Sequence, residues 1–233
     1  MDINKDLVGN LVIANHILYD QGVVDGFGHI SVRNDSLPES FFLSCNRAPA
    51  LVCETDIVCY DFAGNALSLN PGRPYLERFI HGEIYRSRPD VMSIVHHRSA
   101  SVIPFGVTNI PLKPVYHMAG FLGQGSVFFE IRDMDEESDM LIRDVYLGEA
   151  LAKSLGKSNC VLMRGHGATV VGNSIEQVVY RSIYAEMNAK LQMQAMHMGE
   201  VTYLNISEAE KASAANDSQI QRSWNLWLDR VKG

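Results

Sequence analysis

Residues 75–105 read YLERFIHGEIYRSRPDVMSIVHHRSASVIPF, and the fold turns on how this stretch is divided. A breaker cluster, Asn70-Pro71-Gly72-Arg73-Pro74, stands before it. The spacing then predicts a helix over 76–88, with Glu77 and His81 four residues apart on one face. Pro89 and Asp90 end that helix. Residues 91–97 form a near-continuous apolar run, the pattern of a strand covered on both sides. Side chains alternate along a strand, so His96 and Arg98 point one way and His97 the other. A third histidine, His166, lies far downstream in the glycine turn RGHGATVVG. Neutral imidazole and carboxylate are ligands for zinc, iron and manganese, so a helix acid, a strand histidine and a turn histidine suggest a divalent-metal site.

Outward from this stretch, the chain alternates helices and short strands. Residues 6–21 carry Leu7, Leu11, Ala14 and Leu18 on one helical stripe, with Gly22 as a stop. In GVVDGFGHISVRN, Gly26 and Gly28 mark a tight turn before a strand over 29–33. Glycines there either make a plain turn or let backbone amides approach an anion. Strands are expected over 41–44, 52–61, 66–69, 127–131, 160–163 and 168–171. Ser44 and Arg47, in the loop after 41–44, are candidates to hold a carboxylate or phosphate, although such a pair usually marks a solvated turn. Helical spacing covers 139–155, and Ser174 with Gln177 three residues later opens a long helix to 198. Ser207 is read as the cap of a final helix bearing Trp224 and Trp227.

Composition sets the outer bounds. The 233 residues are 46% apolar and 20% charged, the balance of an ordinary globular protein able to bury one core. No repeat or linker divides them, so one domain over 1–233 with a helical tail from about 207 is expected. The net charge of −7 gives no global attraction to nucleic acid or anionic membrane. No apolar run reaches bilayer-spanning length, and the N-terminus does not read as a signal peptide. The four cysteines, none in a CxxC pair, read as reduced thiols, and a cytoplasmic location is expected.

Each of these histidines has an ordinary structural reading alone, as a core imidazole satisfied by carbonyls or as a turn former. What weighs against that is the motif set. ERFIHGEIYRSRPDVMSIVHH, GFGHISVRN and LMRGHGATVVG together resemble the class II aldolase/adducin family over about residues 6–203. FGHISVRN, SCNRAPALV, SVIPFGV and PVYHMAGFLG are closer to the branch that contains 3-hydroxy-2-methylpyridine-4,5-dicarboxylate decarboxylase. The resemblance implies a three-layer α/β/α fold with a mainly antiparallel central sheet, and a homotetramer with active sites between subunits. It implies a divalent metal held at the positions of His96, Arg98 and His166, a catalytic acid at Glu77, and anion-binding loops at Gly28-His29 and at Ser44 through Arg47.

Arg98 departs from that pattern, because a guanidinium stays protonated and cannot ligate a metal. Three outcomes follow. Metal binds through His96, His166 and Glu77; or a bulge recruits His97; or metal is absent and Arg98 is a fixed positive charge for a substrate carboxylate. The expected activity is a carbon–carbon lyase, a decarboxylase of a small carboxylated, aromatic or heteroaromatic substrate, using Mn, Zn or Fe. Its rivals are an aldolase on a sugar-like substrate, an iron-dependent oxygenase and a non-catalytic adducin-like binding protein. The roles of His97 and His117 stay open.

Overall fold

The computed structural model describes residues 4–232. Its centre is a seven-stranded sheet among the described residues, in the order β3-β2-β1-β4-β7-β6-β5. The strands are β1 (His29–Arg33), β2 (Ser40–Ser44), β3 (Ile57–Asp61), β4 (Ser93–His97), β5 (Val127–Phe129), β6 (Cys160–Met163) and β7 (Gly167–Gly172). Every pairing is antiparallel except β5 with β6. The helices are α1 (Lys5–Asp20), α2 (Arg78–Ser87), α3 (Val145–Leu155), α4 (Ile175–Met198), α5 (Ile206–Asp217) and α6 (Ile220–Lys232).

Period-two alternation divides the buried side chains between two helical layers. Ile30, Val32, Val95 and Val170 pack with Leu11 of α1, Val178 of α4 and Trp224 and Trp227 of α6. Phe41, Leu43, Ile94 and Val171 pack with Ile80 and Ile84 of α2 and Leu151 of α3. The result is a three-layer α/β/α arrangement with a mostly antiparallel sheet. β4 lies at its middle and is buried along its whole length, as the apolar run requires.

Several boundaries differ from the sequence reading. The strand expected over 52–61 begins only at Ile57, because Asp56 bonds back to the Cys53 N–H in a 3-10 turn, Glu54–Asp56. The strand expected over 66–69 is reduced to a single bridge, Tyr60 to Ala66, lying along the outer side of β3. The strand over 127–131 stops at Phe129 and passes into a 3-10 turn, Ile131–Asp133. The helix over 139–155 starts at Val145, capped by the Asp144 carboxylate on the Leu147 N–H. The final helix is two helices, and the cap is Asn205 with Glu208 rather than Ser207. Ser174 caps α4 as expected.

The difference that matters most is at α2. It starts at Arg78, so Glu77 occupies the N-cap and not the helix proper. N-cap side chains usually bond the first free amides of their helix. Glu77 makes no such bond, and its carboxylate is left for other partners.

Candidate active site

Three strands bring the site together. In the sheet register His29 of β1 faces His96 of β4, and His96 faces Thr169 of β7. His166 stands in the turn just before β7. That turn presses on the end of β4: a Cβ at Gly167 (φ +155) would collide with the His97 carbonyl. Glycine at 167 is therefore what allows the His166 Nε2 to lie 3.0 Å from the His96 Nε2. At the edge of β1, Gly28 (φ +102) has Val24 and the His96 carbonyl so close that a Cβ would meet them at 2.6 and 3.2 Å.

Glu77 completes the cluster from the N-cap of α2. It is 4% exposed. Its Oε1 accepts from the Ile142 N–H at 3.3 Å and lies 3.4 Å from the His166 Nε2. Its Oε2 lies 3.8 Å from the His96 Nε2 and is ion-paired with the Arg98 guanidinium. Arg98 follows β4 directly and, as strand alternation requires, shares the His96 face. His97 points into the opposite layer, with its Nδ1 on the Ser99 N–H at 3.4 Å and its Nε2 buried without a partner. No bulge turns His97 toward the cluster.

The hydrogen bonds place one ring's hydrogen and leave the other ring two arrangements. The His166 Nδ1 is 2.6 Å from the Met140 carbonyl, an acceptor only, so the hydrogen is on Nδ1. The His96 Nδ1 is 3.1 Å from the Thr169 hydroxyl, which lies 3.6 Å from the Met163 sulfur. With its hydrogen toward sulfur the hydroxyl accepts from the His96 Nδ1–H; turned about, it donates to Nδ1 and His96 donates from Nε2 to His166. With both hydrogens on Nδ1, the two Nε2 lone pairs lie 3.0 Å apart and turned toward the Glu77 carboxylate. Acceptors crowded in this way are reconciled by a cation. An Nδ1–H held by a carbonyl or hydroxyl, with Nε2 free, is the arrangement of metal-ligating histidine. The donor set thus fits a divalent metal.

Charge and burial point the same way. Burial first, then the neighbouring His166, His29 and Arg98, hold His96 well below its ordinary imidazole value. Burial and His81 do the same to His29. For Glu77, burial pushes upward, but a hydrogen on the facing His166 nitrogen, Arg98 and the Ile142 N–H outweigh it and keep the carboxyl below its usual range. A second donor grouping is available: His29, Glu77 and His96 offer ligand atoms within 4.8 Å of one another. In the grouping through His166 the nitrogens are 3.0 Å apart, and each faces its own Glu77 oxygen, at 3.8 Å for His96 and 3.4 Å for His166.

A cleft of about 180 Å³ opens onto the cluster, lined by Phe27, Gly28, His29, Tyr75, Glu77 and Arg98 among others. This is below the roughly 300–1,000 Å³ of drug-sized ligand sites, and suits a small substrate. Two expected residues are not at its wall. The Ser44 hydroxyl is buried behind Tyr75, 3.3 Å from its phenol. The Arg47 guanidinium is bound to the Leu51 carbonyl and to Asp56, 2.7 and 3.2 Å away, and does not line the cleft. What reaches the cleft from that loop is Tyr75, anchored on the Arg47 carbonyl and tilted at 41° against the His29 ring, 4.7 Å between centroids. His117 lies on the surface away from the cleft, its carbonyl held by Asn216.

Fold and cluster together define a class. The family model described as the Class II Aldolase and Adducin N-terminal domain matches residues 10–193, and the chain belongs to that family. Among individual proteins, it is 38% identical to decarboxylase tropJ of Talaromyces stipitatus, over 97% of this chain and 94% of that protein. It is 29% identical to the 3,4-dihydroxyphthalate decarboxylase of Terrabacter sp., over 77% of each. The aldolase II superfamily protein of Pseudomonas syringae superposes with a TM-score of 0.81 at 17% identity, over 100% of this chain and 94% of that one, a likeness of fold. By this kinship the chain is an enzyme, a lyase. No helix among the described residues is long and apolar enough to cross a membrane.

Proposed function

We propose that the chain is a metal-dependent decarboxylase of a small aromatic or heteroaromatic acid bearing a hydroxyl next to the departing carboxylate. The observation that carries this is the pair of Nε2 atoms of His96 and His166, 3.0 Å apart and facing Glu77, with Arg98 beside them. His96 and His166 would hold a divalent ion, of which Mn, Zn and Fe all suit imidazole and carboxylate. Bound there, the ion supplies Lewis-acid stabilisation to electrons left by the broken C–C bond. The two 3,4-dihydroxyphthalate and tropJ relatives, decarboxylases by name, support carboxylate loss over aldol cleavage.

The residues divide the work as follows. Glu77, kept ionised by its neighbours, takes the proton of the substrate hydroxyl. As the C–CO2 bond breaks, its electron pair passes into the ring, and Glu77 returns the proton to the carbon that lost CO2. Arg98 orients Glu77 and turns its remaining N–H groups toward a substrate carboxylate; its side chain is 28% exposed in the cleft. The backbone at Gly28 and the ring of His29 border the same space. We further propose a cytoplasmic homotetramer whose neighbouring subunits cover the open side of the cleft, where Phe27 is 69% and Leu76 41% exposed.

The test is CO2 release from a panel of hydroxylated benzene- and pyridine-dicarboxylates, 3,4-dihydroxyphthalate included, with elemental analysis of protein purified without chelator. A stoichiometric divalent ion and one equivalent of CO2 are expected. Glu77→Gln should lower kcat by roughly 10²–10⁴-fold, the usual weight of a positioned acid–base. Unchanged turnover in that variant removes Glu77 from the role, and aldol products without CO2 overturn the decarboxylase reading.

A further inference from the structure

Behind the cleft lies a row of polar groups that the reaction does not itself require. The His29 Nδ1 is 2.6 Å from the His81 Nε2. The His81 Nδ1 is 2.6 Å from the Ser31 hydroxyl, and that hydroxyl is 2.8 Å from the Tyr85 phenol. All four side chains are buried. His81 and Tyr85 lie four apart on α2, and His29 and Ser31 two apart on β1. The facing side of a helix and the facing side of a strand therefore supply two members each.

Each link holds one hydrogen, and a mixed row in which Ser31 accepts from both neighbours would leave the buried Ser31 hydrogen without an acceptor, so two directions remain. In one, Tyr85 donates to Ser31, Ser31 to His81, and the His81 Nε2–H to the His29 Nδ1. In the other, every bond is reversed and Tyr85 becomes the acceptor. The phenol must keep its hydrogen, because burial pushes its pKa far up. Tyr85 has no second hydrogen-bond partner among the described residues, and its ring lies against Phe41 and Phe62. The reversed row would strand a buried donor among aromatic rings, at the full desolvation penalty of an unmade bond. The forward row satisfies every group. His81, held down to about 3 by burial, stays neutral and offers the single N–H that the forward row needs.

We infer that Tyr85, Ser31 and His81 form a one-way hydrogen-bond row that locks His29 as its Nε2–H tautomer, making it a donor to a substrate oxygen and not a metal ligand. The Nε2 atom makes no bond within the chain, yet is not among the sealed polar atoms, and His29 lines the cleft. This resolves the two donor groupings: the ring within 4.8 Å of Glu77 and His96 carries a hydrogen where a ligand needs a lone pair. His81, Ser31 and Tyr85 are positioning residues. The row ends in a phenol that cannot give up its proton, so it sets a tautomer and does not conduct protons. The inference rests on the proposed reading only for the identity of the oxygen, a carboxylate or hydroxyl of an aromatic acid.

The experiment needs no substrate, so its outcome is independent of whether the decarboxylase reading stands. In metal-free protein with 15N-labelled histidine, two-bond 1H–15N correlations distinguish the tautomers, with His29→Gln assigning the signal. Wild-type His29 is expected as Nε2–H in at least tenfold excess. Ser31→Asp replaces the hydroxyl by an acceptor without a hydrogen, so His81 must donate from Nδ1 and accept at Nε2 from the His29 Nδ1–H. The tautomer should invert to Nδ1–H in the folded variant, whereas Tyr85→Phe, which keeps the Ser31 donor, should leave it as Nε2–H. In parallel, Mn2+ titration should give affinities within threefold of wild type for His29→Gln, and losses above tenfold for His96→Gln and His166→Gln. Wild-type His29 as Nδ1–H, an unchanged Nε2–H tautomer in folded Ser31→Asp, or a tenfold loss of Mn2+ affinity in His29→Gln would each overturn the inference.

Discussion

Arg98 and Glu77 form an ion pair at the mouth of the cleft, and Arg98 is one of the groups that hold the acid ionised. Burial is the largest influence on Glu77 and pushes its pKa upward; His166, Arg98 and the Ile142 amide reverse it. In Arg98→Met the upward push gains ground. A base that works ionised then becomes competent only at higher pH. The acid limb of the pH–kcat/KM profile should move to higher pH, with a loss of roughly 10²-fold at neutral pH if Arg98 also contacts substrate. An unmoved acid limb would mean that Arg98 does not control Glu77. Side by side with this, His97→Gln should leave metal content unchanged, as elemental analysis can check, since His97 points into the other layer. The alternation that separates His96 from His97 is legible in the sequence because it follows from strand geometry alone. The fate of Arg47 is not: its pairing with Asp56 depends on how the Pro49–Leu51 and Glu54–Asp56 turns fold back, and no periodicity encodes that.

At the scale of elements, α2 shows how tertiary contact overrides local preference. Gly82 sits inside this helix, where glycine costs about 1 kcal/mol relative to alanine. Gly82→Ala should therefore stabilise an isolated helix. Here an added Cβ would collide with the Phe62 carbonyl, so the sign is inverted. A loss of roughly 1–3 kcal/mol is expected, as in other overpacked cores. It would be read as a lower urea midpoint at unchanged m-value; a raised midpoint would show that α2 and the chain at Phe62 can separate freely. Element types along β1, β4, β7 and α4 are readable because their burial patterns are long and regular. The start of α2 is not, because its N-cap carboxylate is bound by Ile142, 65 positions away. Reading 139–155 as helix misses the loop over 139–143 that supplies the Ile142 amide and the Met140 carbonyl. The pairing of His81 and Tyr85 with His29 and Ser31 did leave a signal, an i,i+4 row and an i,i+2 row of polar residues. Only the sheet register shows that the two rows meet.

For the whole molecule, the buried histidines make stability depend on pH. His29, His81, His96 and His97 all have folded-state pKa values below the ordinary 6.5, with His81 near 3 and His97 near 4, chiefly through burial. Unfolding exposes them, and below pH 6.5 the unfolded chain takes up protons that the folded chain refuses. Stability is thus full above about pH 7 and falls as pH drops toward the folded values. The slope is up to about 1.4 kcal/mol per pH unit for each ring. Urea midpoints measured without metal should decline by several kcal/mol equivalents between pH 7 and 5. A flat profile would mean that these rings are protonated in the native state. Bound metal should steepen the decline, since protons compete for the same nitrogens.

The sheet's two margins have a consequence of their own. On one side the outer face of β3 is occupied by residues 65–68, with the Leu67 N–H on the Cys59 carbonyl and the Ser68 hydroxyl on the Cys59 N–H. On the other, β5 is only three residues long. Neither margin presents a long ladder of free amides and carbonyls to a passing strand. Extension of the sheet from one copy of this chain to another is therefore disfavoured at both margins while the fold stays intact.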